Sequence, residues 1–139
     1  MWVVEFYFLT QKKLLQMAIK FFTALGLCAL LAFVQYLYGD VIPWWGVAVG
    51  AFLVALAVPI RPGQSWLAGF LGVFLCWLVL AWQIDAANGQ LLSAKIAAVL
   101  PLGGKPWALL LLTATIGGLA AAFAALSGSY LRGTAAKKY

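Results

Sequence analysis

The chain has 139 residues, 66% of them hydrophobic, with only 9 basic and 3 acidic side chains and a formal net charge of +6. Soluble domains carry about 45–50% apolar and about 25% charged residues, so a water-soluble globule is excluded. At about 20 apolar residues per membrane crossing, this apolar content suffices for four crossings and leaves no room for a soluble catalytic domain.

Residues 1–18, MWVVEFYFLTQKKLLQMA, mix apolar and polar character. Their apolar stretch precedes Lys12 and Lys13, the reverse of a signal peptide's order. The segment reads as an uncleaved amphipathic lead-in able to lie in the membrane interface.

A transmembrane domain is predicted over 19–131, with spans at about 19–38, 43–60, 65–84 and 106–131. Lys20 sits at the edge of the first span, where its long side chain can reach the headgroups. Tyr36 and Tyr38 mark the opposite interface, and Gly39-Asp40 makes a short turn. Pro43 suits the first turn of the second span, with Trp44 and Trp45 as headgroup anchors. Arg61-Pro62-Gly63-Gln64 reads as a tight turn before the third span, which carries Trp66 and Trp82 near its ends.

The longest loop is expected over 85–105. Within it Asn88 is placed to cap a short interfacial helix through Leu100, with Leu91, Leu92, Ile96, Val99 and Leu100 largely on one side. Pro101-Leu102-Gly103-Gly104 stops that helix. Trp107 anchors the start of the fourth span, and 132–139 forms a basic C-terminal tail. The fold class expected is all-α: a polytopic membrane protein whose four helices form an up-down bundle, because short connections favour antiparallel neighbours.

Orientation follows from the basic residues. Lys12, Lys13, Lys20, Arg61, Arg132, Lys137 and Lys138 fall on one side, and only Lys95 and Lys105 on the other. Basic residues collect on the cytoplasmic side, so both termini are predicted there.

Gly46 and Gly50 form a GxxxG pair in the second span, and Gly69 and Gly72 repeat the idea in the third. The fourth carries a ladder of Gly117, Gly118, Ala121, Ala122, Ala125 and Gly128. Small residues at such spacing let helix backbones approach closely, either within this bundle or against a partner chain.

The chain contains no histidine, the commonest metal ligand and general base. Cys28 and Cys76 lie in apolar runs and read as small buried hydrophobes rather than a disulfide pair. No charge falls in the middle of a span, which argues against a proton-coupled antiporter. Among the intramembrane polar candidates, Thr113, Thr115 and Ser127 can bond their own helix carbonyls, and Gln35 lies near enough to the interface to be solvated. Asp40, Asp85, Lys95, Lys105 and Tyr38 share the non-cytoplasmic face as scattered loop residues. They make no catalytic constellation, so no catalytic, cofactor-binding or metal-ligating residue is assigned. The scattered basic residues carry no groove-reading motif, so nucleic acid is not an expected partner.

From about Met17 to Arg132 the chain resembles a group of small four-span inner-membrane proteins of unassigned function, mostly from Bacteroidota. The likeness rests on Pro43-Trp44-Trp45, on Pro101-Leu102-Gly103-Gly104, and on the run from Gly117-Gly118 through Ser127-Gly128-Ser129-Tyr130-Leu131-Arg132. It implies a bacterial inner membrane and brings no catalytic residue.

The expected function is that of a non-enzymatic accessory or structural subunit of a larger inner-membrane complex, acting through helix packing. Its partners would be membrane lipids and other integral membrane subunits, or further copies of itself. A small homo-oligomeric channel or transporter is the alternative.

Overall fold

The computed structural model describes residues 1–101 and 103–136. These form five α-helices: α1 Trp2–Leu37, α2 Gly46–Ala57, α3 Pro62–Ala87, α4 Leu91–Val99 and α5 Pro106–Ala136. Three of them, α1, α3 and α5, are long and apolar enough to cross a membrane. There is no strand among the described residues.

The lead-in and the first span are one helix. α1 runs unbroken for 36 residues, about 54 Å at 1.5 Å per residue. No proline or glycine interrupts it before Gly26. Thr10 and Thr23 donate their hydroxyls to the carbonyls of Phe6 and Ile19 one turn back, so neither breaks the helix. A separate segment 1–18 lying in the interface is therefore not what the chain forms.

α2 has only 12 residues, about 18 Å, where a span over 43–60 was expected. Proline explains both ends of the connector that follows it. The residue before a proline is pushed out of the helical region. Val58, before Pro59, is extended at φ −97°, ψ 112°. Arg61, before Pro62, is extended at φ −65°, ψ 149°. Pro62 then opens α3, so Pro62-Gly63-Gln64 is the first helical turn rather than a tight turn.

Asn88 serves a different helix from the one expected. It closes the C-terminus of α3, donating its N–H to the Ile84 carbonyl, and the chain then turns through left-handed Gly89 and Gln90. α4 begins after Gln90 and turns Ser93 and Ala97 inward. Its Leu91, Leu92, Ile96 and Val99 all face away from the bundle. α5 continues five residues past the expected end of the fourth span, so Arg132 belongs to the helix. Lys137 and Lys138 of the expected tail, like Leu102 of the stop signal, lie outside the described residues.

Around the bundle the order is α1, α3, α5, α2, with α1 and α5 not touching and α2 and α3 barely meeting. Sequence-adjacent α2 and α3 thus sit diagonally, not side by side as their short connection suggested. Geometry permits this. Four extended residues reach about 13 Å, and the diagonal of a square of helices about 9 Å apart is also about 13 Å. The core between the four helices is built mainly from small residues: Ala24, Cys28 and Ala32 on α1, Ala51 and Ala55 on α2, Ala68 and Val73 on α3, Ala121 and Ala125 on α5.

Candidate functional site

The glycines and alanines singled out above face other helices of the same chain. A Cβ on Gly72 would lie 2.7 Å from the Leu25 carbonyl and 2.9 Å from the Cys28 Cβ. One on Gly128 would lie 2.6 Å from the Phe52 carbonyl, and one on Gly69 would lie 3.0 Å from both the Ala121 carbonyl and the Ala125 Cβ. Gly117 accommodates the Trp77 ring, Gly118 the Phe70 ring, and Gly50 the Leu31 side chain. Gly46 is packed under its neighbour Ile42, with Gln35 beyond. Ala121, Ala122 and Ala125 are buried. These small-residue faces are used within the bundle.

Two polar contacts tie the helices together. Ser65 Oγ donates to the Ala125 carbonyl at 3.2 Å, locking the first turn of α3 to α5. Arg132 reaches from α5 to the C-terminal end of α2. Its guanidinium donates to the carbonyls of Ala55, of Val58 at 2.6 Å and of Ile60 at 2.6 Å. The last carbonyls of a helix have no partner within it, and a cation there also complements the helix dipole. The bare end of a half-length helix is thereby closed by one side chain. Composition marked Arg132 only as an orientation charge; no local signal reveals that it caps a helix some 70 residues away.

The candidate binding site lies at the opposite end. A groove of about 330 Å³ is lined there by Gln35 and Tyr36 of α1, by Trp44, by Trp77 and Ile84 of α3, and by Thr113 of α5. Gln35 is 9% exposed rather than solvated. Its Nε2 donates to the Pro43 carbonyl at 2.9 Å, while its buried Oε1 has no partner. An unpaired buried acceptor is costly and is satisfied by whatever donor enters. Thr113 spends its proton on the Leu109 carbonyl at 2.9 Å, leaving only acceptor capacity towards the groove. This site can seat an apolar body carrying one hydrogen-bond donor.

Asp85 also departs from expectation. It lies in the last turn of α3, 7% exposed, with one carboxylate oxygen buried and unpaired, and is not a solvated loop charge. Tyr38, Asp40, Lys95 and Lys105 are exposed. No group of three or more Cys, Asp or Glu side chains able to hold a metal gathers among the described residues.

The remaining polar side chains behave as their chemistry predicts. Thr115 and Ser127 donate to the carbonyls of Leu111 and Phe123 one turn back. Of the tryptophans expected as anchors, Trp44, Trp45, Trp82 and Trp107 are exposed, all at the end of the bundle where α1 stops. Trp66 is half-buried, stacked on Phe70 at 5.5 Å and edge-on to Phe123 at 6.5 Å, so it packs between α3 and α5.

No family model, no curated protein and no solved structure matches this chain.

Proposed function

We propose that this chain is a non-enzymatic integral membrane protein, an accessory or structural subunit of a larger bacterial inner-membrane complex. Four segments cross, both termini lie in the cytoplasm, and α4 rests on the far surface with its leucines towards lipid. α2, a helix of about 18 Å, crosses with the help of the residues that flank it, since a hydrocarbon core is about 30 Å thick. The Arg132 clamp supports this reading, because carbonyls left unpaired in lipid are costly.

One observation carries the assignment as a subunit. The first half of α1 carries Trp2, Phe6, Phe8, Leu9 and Leu15, all of them exposed. A helix about 54 Å long exceeds a hydrocarbon core of about 30 Å, so part of this apolar surface extends beyond the membrane. Exposed apolar surface of this extent marks an interaction site. Another integral subunit covering it is the simplest occupant.

The test is the mass of the native particle after mild-detergent extraction, with its co-purifying chains identified. A stoichiometric partner is expected. Trp2→Ser, Phe6→Ser and Leu9→Ser together should release that partner while insertion and helix content stay unchanged. Retention of every partner by this variant would sink the proposal. A homo-oligomer alone would favour the second reading, a small channel or transporter, for which the unpaired Gln35 acceptor in the groove is the supporting feature. Solute flux in liposomes then becomes the deciding measurement.

A further inference from the structure

The basic residues at the other end of the bundle do more than set orientation. Lys13, Gln16 and Lys20 occupy positions i, i+3 and i+7 of α1, one face of that helix. That face meets the connector between α2 and α3, and together they line an open concavity of about 210 Å³ shared with Ile60, Arg61 and Gln64. Three cations from two parts of the chain thus converge on one concavity, with two amide side chains between them.

No acidic side chain neutralises them among the described residues. Its acids are Glu5, Asp40 and Asp85. Asp40 and Asp85 lie at the opposite end of the bundle, and Glu5 sits two helical turns upstream of Lys13. No ion pair forms among the described residues. Arg132 bonds the carbonyl of Ile60, next to Arg61, and brings a fourth positive charge to the same end. α3 starts at Pro62 without a side-chain cap, so the N–H groups of its first turn are open to the same solvent space. Orientation by positive charge requires only that basic residues lie on one side. It does not require them to face one cavity.

We propose that this cavity binds a phosphate group, held by Lys13, Lys20 and Arg61, with Gln16 and Gln64 as neutral donors. Arg61 supplies a planar fork suited to two phosphate oxygens, and the lysines supply point charges. The phosphate is that of an anionic phospholipid headgroup: basic pockets between membrane helices on the cytoplasmic side recognise such headgroups. Here the cavity lies where the apolar surface of α3 begins. The lipid source rests on the membrane reading above; the phosphate chemistry does not.

The experiment uses the full-length chain in neutral detergent, with bound lipid counted by native mass spectrometry. Phosphatidylglycerol should be retained at one per chain, at least tenfold in preference to phosphatidylcholine, and less as salt rises. The triple variant K13Q/K20Q/R61Q should lose at least tenfold of that preference, whereas K95Q/K105Q should keep it. K13R/K20R/R61K keeps the charge and should keep the binding, which separates lost chemistry from a lost fold. A parallel titration with inorganic phosphate distinguishes the source. Phosphate binding abolished by the triple variant, without lipid preference, upholds the phosphate site and overturns the lipid. Equal behaviour of wild type and triple variant in both arms overturns the proposal. Neither readout depends on a co-purifying subunit, so failure here and failure of the subunit assignment are separate results.

Discussion

Arg132 on α5 donates to the carbonyl of Val58 at 2.6 Å, and Val58 is the residue at which α2 stops being helical. The same guanidinium serves Ala55 and Ile60, so one side chain completes the backbone pairing at the end of a helix too short to hide its own carbonyls. Removing it strands the carbonyls of Ala55 and Ile60, while that of Val58 keeps the Ile60 N–H at 3.0 Å; each buried acceptor without a partner costs roughly 1–3 kcal/mol. Arg132→Gln should lower stability by about 3 kcal/mol, and Arg132→Lys by less, because an ammonium satisfies fewer carbonyls at once. Thermal unfolding in detergent reads this directly. A glutamine variant as stable as the wild type would show that water replaces the clamp.

The close approaches at Gly72 and Gly128 make a steric prediction. Gly72→Val and Gly128→Val each push a side chain into the backbone of a neighbouring helix, at the Leu25 and Phe52 carbonyls respectively. Overpacking of this kind costs about 1–3 kcal/mol. Gly26 has open space around its Cβ position, so Gly26→Ala should instead stabilise α1 by up to about 1 kcal/mol. The three unfolding midpoints should separate in that order. If the valine variants unfold like the wild type, α3 and α5 are not seated as described.

Gln35→Leu offers a finer discrimination. It removes one good hydrogen bond, to the Pro43 carbonyl, and also one unpaired buried acceptor. The two effects oppose, since losing the bond destabilises and losing an orphan acceptor stabilises. Stability should therefore change by less than about 1 kcal/mol. A large loss would mean that a bound molecule or water already satisfies Oε1.

Orientation is open to thiol labelling. Gly63→Cys and Asn88→Cys place thiols at opposite ends of α3, both at exposed positions. In intact cells a membrane-impermeant maleimide should label the Asn88 variant and reach the Gly63 variant only after permeabilisation. Native Cys28 is buried and Cys76 half-buried, so both should react slowly. Equal labelling of both variants from outside would refute the cytoplasmic placement of the termini.

By itself the amino-acid order determined the all-helical class, the apolar character that suits a membrane, and two helix ends, near Leu37 and at Pro106. Those properties are local: apolar run length, proline at positions 43, 59, 62, 101 and 106, and the self-bonding of Thr113, Thr115 and Ser127. The unbroken α1 was also locally encoded, in the absence of any breaker before Gly26, but the change of polarity at Lys12 and Lys13 drew the boundary elsewhere. What tertiary structure alone decided is which surfaces meet. Small residues at helical spacing are compatible with any close helix neighbour, so only the packed bundle shows that Gly69 meets Ala121 and Ala125 while Gly72 meets Leu25 and Cys28. The diagonal placement of α2 and α3, the capping of α2 by Arg132, the burial of Gln35 and Asp85 and the cavity between Lys13, Lys20 and Arg61 belong to the same kind. Each depends on residues far apart in the chain, and sequence spacing carries no information about distances that only close when the helices pack.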